Sequence, residues 1–229
     1  MSENVVQQTR NTPQKFSIKL LVGVFLISVS LTSTVIFLVV DHLVPENDTG
    51  AYTDVFTQRT DGVRVIDPPR EVTDFTLTSH TGDPVSLSDL HGQKTVMFFG
   101  YTHCPDVCPM SIMDMQRVRA LLTEDGPELN YLFVSVDENR DAPDRLASFL
   151  EMRRVNDFMI ALAGDEVTLR QITPDYRLVY QANEAEENGY YTVDHTSSLF
   201  LIDEEGRLER IFSFGTEPAT IAEEIKALS

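Results

Sequence analysis

From Leu20 to Val40 the chain runs for 21 residues without a charged side chain, LLVGVFLISVSLTSTVIFLVV. As a helix rising about 1.5 Å per residue, such a run spans about 30 Å, the thickness of a bilayer's hydrocarbon core. Arg10, Lys15 and Lys19 precede it, and Asp41, Glu46 and Asp48 follow. Positive charge stays on the cytoplasmic side, so the short N-terminal tail is expected inside and the remainder across the membrane. A cleaved signal peptide has a shorter apolar core, about 7–15 residues, ending in small residues at the cleavage site. Val39 to Pro45 offers no such site, and no cysteine lies near to accept a lipid. The expected organisation is a cytoplasmic tail (1–19), a transmembrane anchor (20–40), a linker (41–66) and a globular domain (67–229). In a bacterial cell this is a single-pass protein of the inner (cytoplasmic) membrane with its domain on the periplasmic side.

Charge sharpens that division. The chain has 36 acidic and 18 basic side chains, a formal net charge of −18 over 229 residues. Residues 41–229 hold 35 acids and 15 bases, net −20. A nucleic-acid binder needs the opposite sign on its surface, so that class is excluded. Hydrophobic residues make up 42% of the chain, too many for a disordered protein. Two cysteines are too few for a disulfide scaffold or a four-thiolate zinc site. In an oxidising compartment, a lone pair of cysteines either cycles or forms one bridge.

The linker lacks periodicity and ends at Asp67-Pro68-Pro69, where regular structure is expected to be interrupted. Beyond it, Lys94–Gly100 and Asn130–Val136 read as buried strands, and Phe158–Leu162 is strand-like. Helices are expected from Pro109 to about Glu124, from Pro143 to Arg154 and from Asp165 to about Ile172. A polar acidic stretch, Gln181–Gly189, leads to Ser198–Ile202 and Arg207–Phe212 around the turn Asp203-Glu204-Glu205-Gly206, a hairpin. A last helix begins near Thr216-Glu217-Pro218. The βαβαββα order implies a mixed α/β sheet covered on both faces.

The two cysteines stand between the first buried strand and its helix, in Tyr101-Thr102-His103-Cys104-Pro105-Asp106-Val107-Cys108-Pro109. Strand C-termini are where α/β folds build sites. Each cysteine precedes a proline, which disfavours helical backbone, so both are expected on a loop, with Cys108 as N-cap and Pro109 opening the helix. A helix N-terminus favours thiolate, which is both nucleophile and metal ligand. Sulfurs four residues apart suit gripping a metal ion or reversible disulfide exchange. An inert bridge is the plain alternative, but one closing so short a loop removes little unfolded-state entropy.

Phe99 to Pro109 resembles the signature of the Sco (SenC-type) family of membrane-anchored copper proteins. Ser135-Val136-Asp137-Glu138-Asn139-Arg140-Asp141-Ala142-Pro143 is similar to that family's second motif, and Val193-Asp194-His195-Thr196-Ser197-Ser198 to its histidine block. The resemblance runs from about Asp67 to Ser229. It implies a thioredoxin-like fold with an inserted hairpin, binding Cu(I) or Cu(II) through Cys104, Cys108 and His195. It also implies a task, helping to assemble the binuclear copper centre in subunit II of cytochrome c oxidase by copper delivery, thiol reduction or both. Copper donors and thiol reductants are the further partners this entails. The chain departs from the pattern at Asn139, where Glu is common, and at Met110-Ser111; neither is a ligand position.

Of five histidines, His42, His80 and His91 stand in polar or membrane-bordering stretches where a solvated surface role is the default. His103 adjoins Cys104, but neighbours in extended chain point opposite ways. Spacing alone leaves His195 equally well read as a framework residue; the resemblance selects it. Two thiolates and an imidazole are soft donors that suit copper, though catalytic zinc accepts the same set. The family's histidine loop is mobile, so metal capture is expected to order it. Asp137 and Asp141 are expected to form a turn and cap the next helix, or else to support the site. Met110, Met113 and Met115 fall at helical spacing and mostly suit core packing. The competing function is a thiol–disulfide oxidoreductase using Cys104 and Cys108 without obligatory metal. A peroxiredoxin-like peroxidase would need an activating Arg beside its nucleophile, which the local sequence does not supply.

Overall fold

The computed structural model describes residues 57–58, 61–122 and 126–228. The expected anchor, Leu20–Val40, lies outside them, and no described helix is long and apolar enough to cross a membrane. In chain order the strands are β1 (Thr57–Gln58), β2 (Val63–Glu71), β3 (Thr76–Ser79), β4 (Pro84–Ser86), β5 (Thr95–Gly100), β6 (Asn130–Ser135), β7 (Met159–Ala163), β8 (Tyr180–Ala182), β9 (Val193–His195), β10 (Leu199–Ile202) and β11 (Arg207–Phe212). The helices are α1 (Val107–Leu122), α2 (Pro143–Arg153), α3 (Glu166–Ile172) and α4 (Pro218–Ala227).

The centre of the sheet is β5 and β6, parallel and in register from Thr95↔Asn130 to Gly100↔Ser135, with β7 parallel beyond β6. Their β-branched and aromatic residues pack on both faces: every residue of β5 is buried, including Phe98 and Phe99. A strand buried on both faces carries an unbroken apolar run rather than an alternating one. Antiparallel β10 lies on the other side of β5, then β11 and β2; β3 and β4 close the far edge. This is the expected thioredoxin-like mixed sheet, and α4 packs on α1. The hairpin β8–β9 forms a separate two-stranded sheet, with no ladder bonds to the main one.

One expectation fails at the start of the domain. Regular structure does not wait for Asp67; β2 begins at Val63 and runs through Pro68-Pro69. Its pairing with β11 jumps from Val65↔Arg210 to Arg70↔Leu208. The prolines fall in that irregular stretch, where the ladder asks for no N–H.

Asp141 corrects a second expectation. It does not cap α2; Ala142 precedes that helix and offers no side-chain cap. Its carboxylate is fully buried and takes three hydrogen bonds from two loops: Thr102 N–H at 2.8 Å, Thr102 hydroxyl at 2.6 Å and Ser135 hydroxyl at 2.6 Å. In a dry interior those donors outcompete a solvated helix end. The loop after β5, which carries the cysteines, is thereby tied to the end of β6. Asp141→Ala would strand buried donors, at a cost on the order of 3 kcal/mol. The urea midpoint is expected to fall with its slope unchanged; an unaltered midpoint would refute the role given to this carboxylate.

Candidate metal centre

The chain leaves β5 at Gly100, turns through Tyr101–Asp106 and enters α1 at Val107. Cys108 is therefore already helical, not the N-cap on a loop that its proline suggested. Pro109 is tolerated because a first-turn nitrogen has no intrahelical acceptor to lose. The Cys108 N–H instead points at Cys104 Sγ, 3.4 Å away, so a sulfur takes the place of a capping oxygen. Cys104 is itself held by a bond from its N–H to the Tyr101 carbonyl at 3.3 Å. Both cysteines are buried, and their thiols are free.

The seat of Cys108 depends on Gly100. A Cβ there would stand 2.9 Å from Cys108 Sγ, 2.8 Å from Phe98 Cε1 and 3.0 Å from Phe133 Cε2. Contacts that short force rigid, packed neighbours to move.

The two thiols differ electrostatically. Cys104 lies well below the ordinary thiol range, chiefly because the Cys108 thiol hydrogen-bonds to it, with His195 and then the backbone N–H groups of Cys108 and Asp106 adding to that. Burial pushes Cys108 up, and the neighbouring Cys104 sulfur raises it further. The pair thus consists of one ready thiolate and one retained proton.

His195, 87 residues downstream of Cys108, ends β9. Its Nδ1 lies 3.1 Å from the Thr196 carbonyl, which can only accept, so the proton sits on Nδ1. Nε2 faces the sulfurs, 3.4 Å from Cys108 Sγ. Orientation of a ligating imidazole by a backbone carbonyl on its other nitrogen is a usual feature of metal sites. The rings of Phe98 and Tyr101 meet the imidazole edge-on, centroids 5.9 and 5.8 Å away. The Tyr101 hydroxyl has its pKa pushed up to about 12, chiefly by burial.

Cys104, Cys108 and His195 thus converge, with their ligand atoms all within 4.8 Å of one another. Sulfur and nitrogen ligands at about 2.0–2.3 Å from one ion stand up to about 4.6 Å apart, so the three fit a single ion with little movement. They form the one cluster of metal-ligating His, Cys, Asp or Glu side chains found among the described residues.

The remaining candidates fall elsewhere. His103 turns to Thr102 Oγ1 at 3.1 Å and lies 3.9 Å from Asp141, away from the sulfurs, as the alternation of extended chain anticipates. Partial burial, then the charges of Arg145 and Arg140, lower its pKa. His80 is not simply solvated: its Nδ1 accepts from the Ala161 N–H at 3.3 Å. Met115 is core, whereas Met113 is 42% exposed and shares a surface groove with Met110 and Met152.

Two of the residues that hold the hairpin, Arg140 and Tyr191, were given no role in the reading of the sequence. Arg140 Nε donates to Asp137 Oδ2 at 2.5 Å, and Nη1 donates to the Tyr191 carbonyl at 2.8 Å. The guanidinium lies 3.5 Å from the Tyr191 ring centroid, and the Tyr191 hydroxyl returns to Asp137 Oδ1 at 2.7 Å. Asp137, expected to serve as a turn residue or as support for the site, is the buried anchor of this group. The available signal was an aromatic pair, Tyr190-Tyr191, directly after the polar acidic stretch Gln181–Gly189.

The SCO1/SenC family model matches residues 64–229. The chain is 32% identical over 158 residues to the bovine protein called "Protein SCO2 homolog, mitochondrial", covering 67% of this chain and 58% of that protein. It is 32% identical over 155 residues to the human "Protein SCO1 homolog, mitochondrial", covering 66% and 50%. The match therefore spans only about half to three fifths of the length of these relatives. Among solved structures, Bradyrhizobium japonicum ScoI with copper bound superposes with a TM-score of 0.61 at 33% identity, over 68% of this chain and 98% of that one. Apo Sco1 from Thermus thermophilus gives 0.61 at 27% identity, over 76% and 99%. With family model, relatives and fold in agreement, this chain belongs to the SCO1/SenC family.

Proposed function

We propose that the protein is a membrane-anchored copper metallochaperone that takes up one copper ion through Cys104, Cys108 and His195. The carrying observation is the convergence of two thiols and an imidazole whose Nε2 faces the sulfurs. The donor set is soft, which favours copper over hard cations. The copper-bound ScoI neighbour supports the choice over zinc. Copper is cargo here, and the chain's own work is to hold it. The sheet end fixes two sulfurs, the hairpin presents the imidazole, and Phe98 and Tyr101 pack around the ring.

On this reading residues 20–40 anchor the chain in the cytoplasmic membrane, and the domain whose sheet includes β2 from Val63 onward works on the periplasmic side. The acceptor is subunit II of cytochrome c oxidase or a similar copper-receiving protein, as the family resemblance implies.

An anaerobic titration of the reduced protein with copper(I) against a competing chelator tests the reading. One equivalent is expected to bind. His195→Ala should weaken binding by more than about 100-fold, beyond the span usual for an outer residue. Full affinity in that variant would overturn the proposed ligand set.

The contrast between the two thiols favours a second activity of the same site, dithiol exchange with acceptor cysteines. Cys104, held as thiolate, is the attacking sulfur, and buried Cys108 is the resolving one. Attack of Cys104 on an acceptor disulfide forms a mixed disulfide and releases one acceptor thiol. Cys108 then displaces the second, leaving Cys104 and Cys108 oxidised and the acceptor reduced. Iodoacetamide should therefore modify Cys104 first in the reduced apoprotein. Its rate should stay nearly flat from pH 8 to pH 5, where an unperturbed thiol (pKa about 8.5) slows about tenfold per unit. Faster labelling of Cys108 would reverse the assignment.

A further inference from the structure

The hairpin that carries His195 has no strand partner in the main sheet. A two-stranded hairpin alone is marginal in water, so its position rests on side-chain contacts with the body of the domain. On the β8 side these are modest. The Thr196 N–H donates to the Val179 carbonyl at 2.9 Å, within the hairpin's own base, and the Tyr180 hydroxyl donates to Glu166 Oε2 at 2.8 Å.

On the β9 side the contacts are denser and converge on one residue. Arg140 reaches the Tyr191 carbonyl with Nη1, lies flat against the Tyr191 ring, and grips Asp137 with Nε. Tyr191 closes the circuit through its hydroxyl to Asp137. The same guanidinium stands 5.6 Å from the ring of Tyr101, the residue that packs edge-on against His195. Val193 and His195 share the inward face of β9 while exposed Asp194 points away, and Tyr191 stands two residues before the strand. Fixing Tyr191 therefore fixes the rotation of the strand that aims His195.

We infer that Arg140 is a positioning residue for His195: with Asp137 and Tyr191 it clamps the hairpin to the domain, so that the third ligand stands in place before metal arrives. The inference rests on the proposed ligand set. A guanidinium suits the task because its planar fork bonds the carboxylate and the carbonyl while one face stacks on an aromatic ring, which an ammonium cannot do. Residues that orient a ligand typically change metal affinity by about 10- to 100-fold when removed.

The test is a double-mutant cycle in the full chain, read by anaerobic copper(I) titration against a competing chelator, together with hydrogen exchange of the copper-free protein. Arg140→Ala is expected to weaken copper(I) binding about 10- to 100-fold in the parent protein. In a His195→Ala background it should cost little more, because its effect runs through that ligand. In the copper-free protein, amides of 180–195 should exchange faster while those of β5 and β6 keep their protection. Because Arg140→Ala also strands buried Asp137, Tyr191→Leu serves as a second variant that leaves the Arg140–Asp137 pair intact and should act in the same direction. A loss that persists undiminished without His195 would overturn the inference, as would unchanged hairpin exchange in both variants. If His195→Ala alone leaves copper affinity intact, the ligand set falls instead, and the exchange data still decide whether Arg140 holds the hairpin.

Discussion

Asp141 carries a carboxylate into a part of the domain with almost no water, and three donors from two separate loops converge on it. A buried charge is costly unless its lone pairs are satisfied, and these are satisfied only when the turn after β5 and the end of β6 stand side by side. The parallel pairing of β5 and β6 brings the two loops to one edge, and the carboxylate locks them there. Cys104 and Cys108 inherit their place from that lock, since Thr102 lies two residues before the first of them.

The site joins two parts of the protein with different mechanical character. The sulfurs belong to the rigid end of a sheet whose central strands are buried on both faces. The imidazole belongs to a small satellite hairpin held by a cation, two tyrosine rings and a carboxylate. Changes in the satellite leave the sheet's ladder untouched, so the coordination of a bound ion is adjustable without unfolding the core.

The parts of the fold legible in the sequence are those decided by local pattern. Thr95–Gly100 and Asn130–Ser135 announce themselves as continuous apolar runs, and Arg207–Phe212 follows its turn residues. Where the pattern misleads, a wider partner has overruled a local preference. Pro68 and Pro69 look like a stop but sit in an irregular stretch of β2 that needs no donor. Cys108 precedes a proline yet is helical, because Pro109 occupies a first turn and Cys104 sulfur receives the Cys108 N–H. Asp141 has the composition of a cap but finds stronger partners 39 residues earlier. The clamp between Arg140 and Tyr191 bridges 51 residues, a separation over which no spacing rule applies. His195 was likewise undecidable from spacing, and its kinship to a family block singled it out.

Gly100 gives the site an unusual kind of vulnerability. It has no side chain with which to bind anything, yet the volume it leaves vacant is the volume Cys108 sulfur fills. A chain could keep both cysteines and the histidine, and so pass any inspection of ligand residues, while a single methyl group at this position pushed one sulfur out of line. The first requirement of this centre is thus an empty space, and it is written in the sequence as the absence of a side chain eight residues before the second thiol.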